Sequence, residues 1–120
     1  MKGSFVTTLG TLVTVAFAAT AFGSSTAAAA TTIKVTAGKP SELKFTLSAK
    51  TAATGVVTFN FANKGALSHD FKINGKKTAL TKSGKTATLK VAFTKAGKYA
   101  FLCTVPGHAA AGMKGVLTVK

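Results

Sequence analysis

Residues 97–113 read GKYAFLCTVPGHAAAGM, and this stretch decides how the rest of the chain is interpreted. Tyr99, Phe101 and Cys103 alternate with smaller or polar residues. Alternate residues of a strand point to one face, so this spacing predicts a strand that ends with the Cys103 sulfur pointing inward.

A turn is predicted directly after this strand, because Pro106 and Gly107 form a strong turn signal. His108 follows the turn, and Met113 lies beyond three alanines and a glycine. A strand end, a loop and the start of the next strand can therefore bring Cys103, His108 and Met113 to one point.

The chain after residue 30 is predicted to be all-β. Its apolar residues alternate with polar ones in several short runs, and Gly, Pro and Asn turn signals separate these runs. The clearest runs are residues 33–35, 43–47, 57–61 and 87–93, with a last strand at 115–120. Seven or eight short strands at this spacing predict a β-sandwich. Only residues 109–113 are compatible with a helical turn.

A fourth candidate side chain lies in residues 63–73, NKGALSHDFKI. Phe71 and Ile73 continue the alternation, which places His69 on the same inward face at the start of a strand. A thiolate, two imidazoles and a thioether together form the donor set of a blue-copper site. Zinc is the competing metal, but a methionine donor favours copper.

Residue usage supports a single metal centre. Apart from Met1, the sequence has two His, one Cys and one Met, and all four lie in this constellation. The alternatives are an inert buried thiol at Cys103, a core methionine at Met113 and a hydrogen-bonded or surface histidine. The combined spacing of all four residues favours the metal site.

The N-terminus predicts an export signal over residues 1–30. A short positive start, an apolar stretch and a small-residue end with four alanines fit a cleavage site near residues 28–30. A retained membrane anchor is the alternative. This division leaves one domain over residues 31–120, exported to the periplasm or the cell exterior, where a single cysteine requires an explanation.

The chain is strongly basic, with 16 lysines against two acids and a formal net charge of +14. Outward-facing lysines such as those at 34, 44, 72 and 90 are first of all solvated surface residues. Such an excess would also attract an acidic redox partner or an anionic cell surface in a salt-sensitive way. Nucleic acid is a poor candidate, because the sequence has no Arg and one Tyr.

The sequence resembles the cupredoxin (blue-copper) family, plastocyanin-like proteins in particular. The resemblance rests on the Gly97-x-Tyr99-x-Phe101-x-Cys103 run and on the His69-Asp70-Phe71 segment preceded by Asn63. The Cys-x4-His-x4-Met spacing is similar to that of rusticyanin and auracyanin.

This resemblance implies a Greek-key sandwich with one type 1 copper ion at one end. His69, Cys103 and His108 would be the strong ligands and Met113 the weak axial one. The protein would be a small, mobile, monomeric one-electron carrier and not an enzyme. In the family, the C-terminal histidine reaches the surface through a small apolar patch, which residues 66–67 and 106–111 could form here.

Asp70 departs from the family pattern, in which Asn or Ser often follows the first histidine. It could brace the cysteine loop as an acceptor. Its negative charge should also favour Cu(II) and lower the reduction potential, unless it faces solvent or pairs with a lysine.

Two other functions stay open at this point. An exported copper carrier or chaperone would use similar donors without redox cycling, and a metal-free basic sandwich would bind polyanions. An enzyme has the least support, because the chain shows no carboxylate pair and no nucleophile–base arrangement.

Overall fold

A computed structural model describes residues 31–120, so the predicted signal peptide and its cleavage site lie outside the described residues. Over this range the secondary structure is entirely β, with nine strands. Within it, no helix has the length and apolarity needed to cross a bilayer. The strands are β1 (Thr31–Ala37), β2 (Phe45–Leu47), β3 (Thr51–Ala52), β4 (Gly55–Asn63), β5 (Lys72–Ile73), β6 (Lys76–Lys77), β7 (Thr86–Phe93), β8 (Gly97–Leu102) and β9 (Lys114–Val119).

The strands form two sheets. The first has the order β2-β1-β4-β7 and the second the order β3-β9-β8-β5-β6. Most neighbours are antiparallel, but β1 pairs parallel with β4, and β3 pairs parallel with β9. The predicted all-β sandwich is confirmed.

Two details differ from the sequence-based expectation. Residues 31–120 form nine strands where seven or eight were expected. Three of them, β3, β5 and β6, are only two residues long. The strand expected to begin at His69 begins at Lys72. His69, Asp70 and Phe71 are three consecutive buried residues, so the alternation of buried and exposed positions is broken before Lys72. Asn74-Gly75, one of the turn signals between the predicted strands, joins β5 to β6, and both residues have positive φ (49° and 76°), as a tight hairpin turn requires.

Alternating apolar residues from both sheets form one core, as the period-2 pattern predicts. Phe71 lies at its centre, with ring centroids 5.1 Å from Phe59 in the first sheet and 5.4 Å from Phe101 in the second. The lysines predicted to point outward from the strands are exposed. The packed aromatic rings hold the two sheets face to face.

The strand register brings several chain segments to one end of the sandwich. In the first sheet, the last residue of β1 is paired with the first residue of β2 and the last of β4. In the second sheet, the last residue of β8 is paired with the first residues of β5 and β9. The segments that flank these strand ends contain every residue that the sequence singled out as a metal donor.

Candidate metal centre

Cys103 follows the last residue of β8 and is 1% exposed. Its position continues the inward face of Phe101, as predicted. The Asp70 backbone N–H points at the sulfur at 3.5 Å. Burial raises the pKa of the Cys103 thiol. A metal cation that replaces the thiol proton would balance the charge of the buried thiolate and bind it.

Residues 103–113, called here the ligand loop, fold largely on themselves. The His108 N–H donates to the Val105 carbonyl at 3.0 Å, and the Met113 N–H donates to the His108 carbonyl at 3.0 Å. The Cys103 N–H then donates to the Met113 carbonyl at 3.1 Å. These bonds make a compact turn that returns the chain to β9 and brings the three candidate donors of the loop together.

His69 reaches the same point from the other side. Its backbone is paired with Thr81, the two N–H···O distances being 3.0 and 2.8 Å. Its side chain is fully buried. The His69 Nδ1 atom faces the ligand loop, 3.2 Å from the Nδ1 of His108 and 3.9 Å from the Cys103 sulfur.

The three donor atoms form a triangle of the size that a metal ion requires. The third side, from the Cys103 sulfur to the His108 Nδ1, is 3.6 Å. With these three sides, the equidistant point lies about 2.1 Å from each atom, which is close to the usual metal–nitrogen bond length of about 2.0–2.1 Å and slightly below the metal–sulfur length of about 2.3 Å. Within residues 31–120 this is also the group of His, Cys and acidic side chains whose donor atoms all lie within 4.8 Å of one another. The residues fit a bound metal ion.

Met113, the fourth predicted donor, is fully buried. Its backbone N–H and carbonyl are bonded to His108 and Cys103 respectively. A thioether, a thiolate and two imidazoles would together hold a copper ion, since this combination of donors is typical of blue copper and not of structural zinc. The donor set therefore fits copper.

Glu42 is a further residue of the site, and the sequence reasoning missed it. It lies in the turn before β2, and its Oε2 is 2.6 Å from the Nε2 of His69. Hydrogen bonds from the Ala66 and Leu67 N–H groups and from His69 lower the Glu42 pKa to about 2, so the group is a carboxylate in the ordinary pH range. The sequence feature that could have pointed to Glu42 is its rarity, since the chain has only two acidic residues and 16 lysines.

Asp70, the other acid, braces the ligand loop as expected. It is 2% exposed, and its carboxylate accepts hydrogen bonds from the Thr104 N–H, at 2.6 Å, and from the Thr104 hydroxyl. The Lys77 Nζ lies 4.0 Å from the Asp70 Oδ2, and the Lys77 side chain is 57% exposed. Asp70 thus ties the residue after Cys103 to the residue after His69, and Lys77 offsets its charge only weakly.

The two histidines differ in their access to solvent. His108 is half-buried, and the loop around it exposes Pro106, Gly107 and Ala110. Leu67 is 50% exposed on the His69 side. Exposed small residues thus lie next to His108 in the chain, and the apolar patch at residues 66–67 and 106–111 stays a prediction.

Comparison with known proteins gives one family match. Residues 14–120 match the family described as "Copper binding proteins, plastocyanin/azurin family". The match includes every donor and both acids of the site.

Individual relatives agree with the family match. Auracyanin-B of Chloroflexus aurantiacus is 43% identical over 42 residues, which are 35% of this chain and 18% of that relative. A solved auracyanin B structure superposes with a TM-score of 0.65 at 24% identity, covering 81% of this chain and 93% of that one. Rusticyanin from Thiobacillus ferrooxidans superposes with a TM-score of 0.63 at 23% identity, covering 78% and 79%. The predicted resemblance to this family, and the copper it implies, are confirmed.

Proposed function

The chain belongs to the plastocyanin/azurin family of copper-binding proteins, and from this premise we propose that it is a type 1 copper protein that carries single electrons between redox partners. His69, Cys103 and His108 would hold the copper ion as strong ligands, and Met113 would bind it weakly. The triangle of two imidazole nitrogens and one buried sulfur carries this proposal.

Copper held by these residues would supply a Cu(I)/Cu(II) couple. The protein holds the donors in a preformed arrangement, since His69 is tied to Thr81 and the ligand loop is closed by its own backbone bonds. Sulfur donors suit Cu(I), and imidazole suits both oxidation states. A preformed site that both states tolerate rearranges little when an electron is gained or lost. The proposed role is therefore electron transfer.

Electrons would enter and leave at His108. This ligand is half-buried, whereas Cys103 and Met113 are buried and His69 is fully enclosed. The small side chains of the ligand loop would let a partner approach the imidazole edge closely. An apolar surface of this kind around one polar group suits a short-lived protein contact.

Charge would select the partner. The net charge of +14 predicts that the docking surfaces of the partner proteins are acidic and that association rates fall as the salt concentration rises. Lys64 and Lys114 are exposed. Lys64 follows β4 and Lys114 begins β9, both at the end of the sandwich that contains the proposed copper ligands. The protein would work as a monomer in the periplasm or at the cell surface, where the same charge would also favour anionic envelope components.

The visible absorption spectrum of the purified protein with added Cu(II) tests the proposal. We expect an intense thiolate-to-copper band that bleaches on reduction and returns on oxidation with copper retained. Cys103→Ala should lack the band, while the control Thr88→Ala, at an exposed position of β7, should keep it.

Two outcomes would contradict the proposal. Loss of copper in each redox cycle would point to a carrier that delivers the metal. A protein that stays colourless, indistinguishable from Cys103→Ala, would point to a metal-free basic sandwich that binds polyanions.

A further inference from the structure

The acids of this chain are placed in an unusual way. The sequence has two acids against 16 lysines, and both carboxylates lie at the metal centre. The Asp70 carboxylate is hydrogen-bonded to Thr104, whereas the Glu42 carboxylate is hydrogen-bonded to the ring of His69. In so basic a protein, a carboxylate aimed at the far nitrogen of a metal-binding histidine requires a specific explanation.

Glu42 is held in position by the backbone opposite it. Its Oε1 accepts a hydrogen bond from the Ala66 N–H at 2.7 Å, and its Oε2 accepts one from the Leu67 N–H at 3.2 Å. Gly65 lets the carboxylate lie against this segment, since a Cβ there would come within 2.9 Å of the Glu42 Cδ. The carboxylate is therefore oriented before any metal binds.

This contact settles which nitrogen of His69 carries the proton. An ionised carboxylate can only accept a hydrogen bond, so the Nε2 atom, 2.6 Å away, must be the donor. In the neutral imidazole the Nδ1 atom is then left with its lone pair, and it is this atom that faces Cys103 and His108. The ring is held in the one tautomer that can donate to a metal at the centre of the triangle.

We propose that Glu42 is a positioning residue for copper, which fixes the tautomer and the ring orientation of His69 and makes its Nδ1 a stronger donor. The inference rests on the proposed function, because it takes His69 as a copper ligand. Carboxylate partners of metal-bound histidines act in this way in other metalloproteins, and their removal typically weakens metal binding about 10–100-fold. The negative charge, one imidazole away from the metal, also stabilises Cu(II) relative to Cu(I).

The first test uses the unmodified protein. In the reduced, diamagnetic copper form, the His69 Nε2 proton should give a resolved NMR signal that exchanges slowly with water, because the ring is fully buried and its donor is engaged. The His108 ring, which is half-buried, provides an internal comparison. Rapid exchange of the His69 ring proton, or a proton on Nδ1 instead, would overturn the proposal.

Two variants then separate position from charge. Glu42→Gln removes the charge and offers a single acceptor oxygen where three donors converge. Gly65→Ala keeps the charge but pushes the carboxylate away from His69, and the backbone at residue 65 is in a conformation open to alanine. We expect both variants to bind Cu(II) about 10–100-fold more weakly and to lose the slow-exchanging His69 signal.

Asp70→Asn is the matched control, because it removes the other acid without touching the His69 ring. It should keep the His69 signal. Wild-type copper affinity in both Glu42→Gln and Gly65→Ala would overturn the proposal, as would an effect of Glu42→Gln with none of Gly65→Ala, which would show that charge alone acts. The failure of the proposed function looks different, since the unmodified protein would then show no blue band.

Discussion

The two histidines of the copper centre are held by opposite means. His69 lies in residues 63–70, called here the His69 segment, which is tied to distant parts of the chain through Glu42, Asn63 and Thr81. His108 lies in the ligand loop, whose hydrogen bonds run mainly between residues at most ten positions apart. One histidine is fully buried and the other half-buried.

The difference matches two requirements of an electron carrier. In the proposed function, the long-range bonds of the His69 segment would keep His69 fixed and away from solvent, so that the site would rearrange little when the oxidation state changes. The short local turns of the ligand loop keep the other ligand at the surface, where a partner can reach it. The loop can therefore vary its outer surface while the segment holds the geometry.

The largest expected effect separates the two histidines directly. His108→Gly should lose the blue band and regain a thiolate–copper band when free imidazole is added, because its ring lies next to solvent. His69→Gly should lose the band and not regain it, because the ring is enclosed and bonded to Glu42. Absorption titrations with imidazole measure both. Equal rescue of the two variants would contradict the contrast.

The next effect tests the rigidity of the His69 segment. Asn63 is fully buried, and its amide donates to the Leu67 and Thr81 carbonyls at 2.7 and 2.8 Å and accepts from the Gly65 N–H at 2.9 Å. Asn63→Ala removes these three hydrogen bonds and leaves the Leu67 carbonyl and the Gly65 N–H without this partner, whereas the Thr81 carbonyl keeps the His69 N–H. The variant should lower the free energy of unfolding by about 3 kcal/mol.

Denaturant unfolding measures this change, with Asn60→Ala as the control at an exposed position of the same strand. The control should stay within about 0.5 kcal/mol of the wild type. An equally small loss of unfolding free energy in both variants would mean that Asn63 does not stabilise the His69 segment.

A smaller effect is expected where Asp70 joins the two regions. Asp70→Asn keeps one acceptor for Thr104 but loses the charge, so it should cost about 1–2 kcal/mol of stability. Losing a negative charge near copper disfavours Cu(II), so the reduction potential should rise. Voltammetry measures the shift. An unchanged potential would mean that Lys77 and solvent already screen the charge.

The smallest effect is expected on the outer surface of the ligand loop. Ala110 is exposed, so Ala110→Ser should change stability by less than about 0.5 kcal/mol and leave the copper absorption as it is. Thermal unfolding and the visible spectrum check both points. A larger change would show that this surface packs against the site and is not free for a partner.

Much of the fold and of the site could be predicted. The alternation of Tyr99, Phe101 and Cys103 correctly predicted an inward sulfur at the end of β8. The continuation of Phe71 and Ile73 correctly predicted a buried His69, although the strand there begins three residues later, at Lys72. Period-2 patterns report which face a residue occupies, and they do not report where backbone pairing starts.

Other features could not be read from any local pattern. Glu42 is 27 residues from His69, and nothing in its neighbourhood marks it as a partner of a metal ligand. The Asp70–Thr104 bonds span 34 residues. Such contacts depend on which strand ends meet, and therefore on the register of both sheets.

The sequence by itself determined the all-β class, the basic surface and the types of the donors, because backbone geometry and side-chain chemistry act over a few residues. Only the tertiary structure decided which nitrogen of His69 faces Cys103 and His108, which acid contacts its ring and which histidine reaches solvent. These properties arise from strand ends that are distant in the chain and meet at one end of the sandwich. Packing of the two sheets brings them together, and no local segment contains that information.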